Sequence, residues 1–176
     1  MIPVYVAGIA TTVFGRHLDR PVADLAREAL DGAVADAGCR VGDLGVAFYS
    51  GITQGALQGQ VAIPGHVVLS KIGIDSIPIF NVASACASGS AAFHLAVQSL
   101  RSGSADVALA IGAEKMNVLD KSRAQALFKP GRDVSRSDAY QQALSRITAE
   151  LEIPAGARTD RPSSLFMAIA AGLSRL

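Results

Sequence analysis

The chain has no tryptophan, two cysteines, three histidines and a net charge of only +1 across 176 residues. Each shortage excludes something. Cys39 and Cys86 lack the paired Cys/His spacing of a zinc site, and two thiols make no disulfide framework. The near-neutral balance argues against a protein that holds nucleic acid by charge. No apolar segment approaches the ~18 uninterrupted residues of a membrane-spanning helix. Met1 to Val6 carries no basic region of the kind that opens a signal peptide, so a reducing cytoplasm is the expected setting. The glycines between Gly51 and Gly59 lack the Lys-Ser/Thr ending that would hold phosphate and magnesium, so they do not make a phosphate loop.

What the chain does have is small apolar residues. Half of it is hydrophobic while aromatics make up 5%, a composition suited to closely packed helices and sheet, with length enough for a domain with a real core. Val4 to Ile9 reads as a first strand. Apolar residues from Val22 to Ala37 recur at helical spacing and stop at Gly38. Val46 to Ser50 reads as a strand. Gln60 to Ile72 reads as a helix closed by Gly73, its true start set at or after Pro64. Ile77 to Ala83 and Asp106 to Gly112 are strands on either side of a helix from Ala87 to Leu100, expected to be buried. This alternation predicts an α/β protein with a largely parallel sheet covered by helices on both faces.

Cys86 stands at the joint between the Ile77–Ala83 strand and the helix that follows. Backbone N–H groups and the positive end of the helix dipole both favour a thiolate there, the form that attacks electrophiles. The residues after it, Ala87 to Ala92, are all small, which leaves room for a thin acyl chain. A free cysteine is elsewhere most often a small buried hydrophobe; at this joint the nucleophile reading is the stronger one.

The histidines offer no base for it. His94 lies eight positions further on, about 12 Å along a helix and rotated by about 80°, and reads as a packing residue. His17 falls in a surface loop, and His66 at a helix start. Cys39 follows a helix stop and reads as packing. Glu114 and Lys115 lie at a strand end where α/β sites gather, and are equally an ordinary ion-pair candidate; both readings stand. Met167 reads as a core methionine. From Val118 to Arg161 the composition shifts, with eight Lys/Arg and six Asp/Glu, and a weak helical pattern persists from Ser137 to Leu151.

The segments CASGSAA (Cys86 to Ala92), RSGSADVALAIGAEKM (Arg101 to Met116) and FGRH (Phe14 to His17), with the run Gly51, Gln54, Gly59, Gln60, Pro64 and Gly65, resemble the thiolase superfamily. The likeness is to its lipid-transfer-protein (sterol-carrier-protein type) acetyl-CoA acyltransferases in particular, and is marked from Val4 to about Met116. The resemblance implies a layered α/β/α fold with a mostly parallel mixed sheet, one half of the family's duplicated domain. It implies a core over residues 1–117 and a partial, truncated loop domain over 118–176 that covers the active site. It implies that Cys86 accepts an acyl group as a thioester, with its own N–H in an oxyanion hole. Coenzyme A and acyl-CoA are then substrates, with no permanently bound cofactor and no metal.

The family also implies a homodimer through the Ile77–Ala83 strand. Its catalytic domain is about twice this length, and its second half supplies a histidine loop and an acid/base absent here. The chain is thus expected to work with a separate C-terminal half or to be incomplete. Three alternatives accompany this: a steroid side-chain CoA aldolase with a small partner protein, a non-catalytic assembly subunit, and an aggregating fragment.

Overall fold

The computed structural model describes residues 2–127 and 133–150. The chain divides into two compact units, one running through Leu127 and the other beginning beyond it. In the first, α1 (Val22–Ala37) is followed by β1 (Val46–Ser50), α2 (Gln54–Gln58), α3 (Pro64–Ser70), β2 (Ile79–Val82), α4 (Ser88–Arg101), β3 (Ala108–Gly112) and α5 (Lys121–Ala126). In the second lies α6 (Ser137–Glu150), where the weak helical pattern placed a helix. The compositional shift after Asn117 falls inside the first unit, ahead of α5.

The three strands form a parallel sheet in the order β2-β1-β3. β1 is central and buried along its whole length, which is why it reads as an unbroken apolar run rather than an alternation. Its side chains still alternate between faces. Ala47 and Tyr49 join Leu109, Ile111 and the buried sides of α1 and α3 in one core cluster. Val46 and Phe48 join Val82 and the alanines Ala92 and Ala96 of α4 in the other. The arrangement follows from handedness. The β1-to-β2 connection moves one way across the sheet and the β2-to-β3 connection moves back, so right-handed crossovers put α3 and α4 on opposite faces.

Local punctuation explains the helix ends. Gly38 takes a left-handed φ of 64° and donates to Ala35 O while Cys39 N–H donates to Val34 O, a C-cap open to glycine without strain. Pro64 occupies the first position of α3, where its missing N–H has no helical partner to lose. The helix read from Gln60 therefore begins at Pro64 and ends at Ser70, and the separate short helix α2 is an addition to the expected elements.

Two expectations need correction. Val4 to Ile9 forms no strand: no described strand pairs with it, and Tyr5 and Ile9 are 80% and 73% exposed. The segment instead lies along α1, where Ile9 N–H donates to Asp36 Oδ2 at 2.9 Å and a Cβ on Gly8 would strike the α1 backbone at Ala33 and Ala37. The apolar run is real, but an extended segment needs a ladder partner to become a strand. The Cys86 helix is not buried throughout either. Only Ser88, Ala92 and Ala96 are covered, while Phe93 and Leu95 stand out into solvent; a helix on one face of a sheet buries a stripe, not its circumference.

Gly65 decides how closely α3 meets the sheet. A Cβ there would lie 2.6 Å from Tyr49 Cβ and 2.8 Å from Asn81 Oδ1, and its N–H donates to that same oxygen at 2.6 Å. Gly65→Ala is expected to destabilise the fold by about 1–3 kcal/mol, the usual effect of overpacking. A urea midpoint equal to that of the wild type would refute this.

Candidate active site

Cys86 is exposed. β2 ends at Val82, a 3₁₀ turn covers Ala85–Ala87, and α4 begins at Ser88. The turn is tight enough to push Ala85 to φ 49°, a left-handed conformation that strains a residue with a Cβ by about 1–3 kcal/mol. Strain of that size persists only where neighbouring contacts over-determine it. Here Ala87 N–H donates to Ser84 O at 2.9 Å. The Ser88 hydroxyl accepts from Ser84 N–H and donates to Ala85 O, each at 2.8 Å. The result is a sulfur presented outward on a turn fastened from beneath.

The site's place in the sheet matters as much. The chain leaving β1 goes to α3 on one face, and the chain leaving the adjacent β2 goes to α4 on the other. That divergence at the carboxyl ends of neighbouring strands is where open α/β sheets bind ligands. Cys86 stands at it.

Around the same sheet end, the segment after β3 holds the neighbouring loops. Glu114 accepts from Ile52 N–H at 2.6 Å and from Thr53 N–H at 3.3 Å, and the Thr53 hydroxyl donates to it closely. Lys115 Nζ turns away and donates to Leu18 O and Arg20 O at 2.6 and 2.7 Å. Of the two readings of this pair, the ion pair fails: neither residue has one among the described residues, because each fastens a different loop. Tyr49, fully buried, donates to Gln54 Oε1 at 2.8 Å with Ala113 O at 3.2 Å as a second acceptor. Burial, and then the charge of Glu114, push its phenol above the ordinary range. Burial likewise raises Glu114, against the lowering effect of the Ile52 and Thr53 N–H groups. Glu114 also lines a cavity of about 140 Å³ with Thr11, Thr12 and Leu25, to which no residue of the Cys86 turn contributes.

The described hydrogen bonds of the histidines run to residues outside the Ala85–Ala87 turn. His17 Nε2 meets Val13 O at 2.8 Å. Asn81 Nδ2 meets His66 Nδ1 at 3.1 Å, fixing His66 at the start of α3. His94 is exposed on α4, not the packing residue expected, because its side of the helix faces away from the sheet. Cys39 is half-buried beside the α1 stop. Met167 lies outside the described residues. No group of three metal-ligating side chains, and no helix long and apolar enough to cross a membrane, occurs among the described residues. In sequence Ser88 reads as one more small residue, although a serine at a helix start bonding back to the preceding turn is a known local pattern. The Glu114 clamp has no local signal, since its donors lie more than sixty positions away.

Residues 4–171 match the family model for the thiolase N-terminal domain. The chain belongs to the thiolase family. Its relatives include a non-specific lipid-transfer protein-like protein of Caenorhabditis elegans, 35% identical over 116 residues that cover 64% of this chain and 27% of the relative. An acetyl-CoA acetyltransferase of Methanothermobacter thermautotrophicus is 34% identical over 127 residues, 72% of this chain and 33% of that protein. A benzoylsuccinyl-CoA thiolase subunit of Thauera aromatica is 40% identical over 115 residues, 63% and 28% of the two chains. This thiolase-family chain thus spans about a quarter to a third of the length of these relatives. The 3-oxoacyl-[acyl-carrier-protein] synthase III of Aquifex aeolicus aligns over 56% of this chain and 31% of its own, with 23% identity and a TM-score of 0.48.

The raised Glu114 carboxyl has a consequence for stability. A carboxyl whose folded pKa exceeds its unfolded one contributes stability below the unfolded value and loses it as pH rises through the folded value. The fold is therefore expected to weaken as pH rises from the ordinary value of 4.5 toward neutrality. Asp43, held low by Arg40, and Asp120, held low by Ser122, act in the opposite sense only below 3.8. Glu114→Gln should flatten the decline. Urea midpoints between pH 4.5 and 7 that run parallel in the two proteins would contradict this assignment.

Proposed function

We propose that the chain carries the acyl-accepting half of a thiolase reaction, with Cys86 as the nucleophile. The observation that supports this best is an exposed sulfur on a fastened turn at the switch point of the sheet. The Cys86 thiolate attacks the C3 carbonyl of a 3-oxoacyl-CoA and forms a tetrahedral oxyanion. In this scheme the Cys86 N–H stabilises that charge, a contribution of about 2.7–4 kcal/mol for one good donor. Collapse breaks the C2–C3 bond and sends its electron pair to C2, which takes a proton to give acetyl-CoA. The acyl group stays on Cys86 as a thioester until the thiol of a second coenzyme A removes it as a shortened acyl-CoA. Coenzyme A is a substrate in this scheme, and no permanently bound cofactor is invoked.

The proton transfers require a general base, and no described hydrogen bond joins a histidine to the Cys86 turn. The base is assigned to a further polypeptide segment, whether joined to these residues or separate; thiol deprotonation and protonation of C2 both call on it, so these 176 residues alone are expected to acylate slowly and to turn over hardly at all. Assembly is assigned to β2, an edge strand whose Phe80 stacks on Phe48 at 5.2 Å yet stays 51% exposed. A strand that is an edge among the described residues can pair with another chain, and a second copy of this one is the partner proposed. The resemblance to the lipid-transfer branch carries one alternative, aldol cleavage of a steroid side-chain CoA thioester with a small partner protein. That reaction would survive Cys86→Ala once the partner is added.

Incubation of the purified chain with 3-oxoacyl-CoA should add one acyl mass to the intact protein, an addition lost in Cys86→Ala. Multiple turnover by the chain alone would overturn the assignment of the base elsewhere. Light scattering should give a dimer or larger assembly, and substitution of Phe80 by Lys should weaken it; a wild-type monomer would sink the proposed pairing.

A further inference from the structure

The Ser88 hydroxyl spans the residue that carries the sulfur, since its two partners, Ser84 N–H and Ala85 O, both precede Cys86 in the turn. A hydroxyl can accept and donate at once, and here it does both at 2.8 Å from a side chain only 6% exposed. No purely apolar residue of that size could replace either bond. The turn it closes contains Ala85 at φ 49°, which a residue with a Cβ leaves unless something holds it. Ala87 N–H to Ser84 O fixes the end of the turn, and the Ala85 carbonyl takes both the backbone N–H and the hydroxyl of Ser88, of which only the hydroxyl also reaches back to Ser84 N–H. Ser88 secures that carbonyl, and rotation of the Ala85–Cys86 peptide would swing both the Cys86 N–H and its side chain.

We propose that Ser88 is a positioning residue for the reaction at Cys86, holding the left-handed Ala85 turn so that the Cys86 sulfur and N–H address one carbonyl together. Ser88 touches neither substrate nor sulfur in this role. The inference rests on the acyl-transfer reading of Cys86 and adds to it the element that sets the attack geometry.

Two reagents separate geometry from simple thiol access. Acylation by an acyl-CoA needs the sulfur and the N–H correctly aligned, whereas alkylation by iodoacetamide needs only an accessible thiolate. Ser88→Ala is expected to slow Cys86 acylation about tenfold, since small misplacements have effects of that order or larger, while alkylation stays within about twofold. Adding Ala85→Gly should restore much of the acylation rate, because glycine adopts positive φ without strain. A merely structural serine would show no such rescue. Should Ser88→Ala not fold, the double variant, relieved of strain, provides the test: it should fold and be acylated at no less than about a third of the wild-type rate.

The proposal is overturned if Ser88→Ala acylates at the wild-type rate, if acylation and alkylation fall together, or if the double variant folds and is not acylated. A wild-type chain that alkylates at Cys86 yet never acylates overturns the acyl-transfer reading itself, and the positioning role with it.

Discussion

The pairing of β1 with both of its neighbours is the constraint on which the rest depends. Five residues, Val46 to Ser50, are buried on both faces and supply the ladder for β2 and β3. Ser50 lies between Val82 and Gly112 in register, so the ends of all three strands are drawn level. The Cys86 turn, the Ile52–Thr53 loop and the Glu114–Lys115 segment are therefore neighbours at one end of the sheet. A Cβ on Gly112 would collide with Ser50, which shows how closely β1 and β3 approach there. Loss of β1 would separate the loops and leave each with unpaired polar groups.

On that base the chain distributes order unevenly. The turn beneath Cys86 is strained and tied, and the loop after β1 is clamped by a carboxylate, while the sulfur itself is open to solvent. Rigid support below with access above is what an attacking group requires: freedom to meet an electrophile without freedom to miss it. The exposed apolar side chains, Phe80 on β2 with Phe93 and Leu95 on α4, border the same strand and helix that carry the turn. The surface proposed to meet a second copy thus lies on the elements proposed to meet the substrate.

Much of this is legible in the linear chain. The helix ending at Gly38, the strand Val46–Ser50, the Pro64 helix start and the strand–Cys86–helix joint all rest on signals that act within one or two turns, namely periodicity, left-handed glycine and proline. The motif at Cys86 to Ala92 and the one at Arg101 to Met116 point to the thiolase family before any geometry. Strand ends are less legible: β2 and β3 are shorter than their apolar runs, because pairing stops where the neighbour's ladder stops. Val4 to Ile9 has a strand's composition but no described partner.

The sequence by itself determined the alternation of strands and helices and the placing of a thiol where one becomes the other, since both are written in spacing and in a few residues with restricted backbones. Only the tertiary structure decided that β1 is central, that Glu114 fastens residues more than sixty positions earlier, and that Ser88 is a clasp and not a spacer. The reason is that ladder register and hydrogen-bond direction are properties of segments brought together in space. A serine or a glutamate in the chain carries its donors and acceptors with it, but folding alone settles which groups they meet.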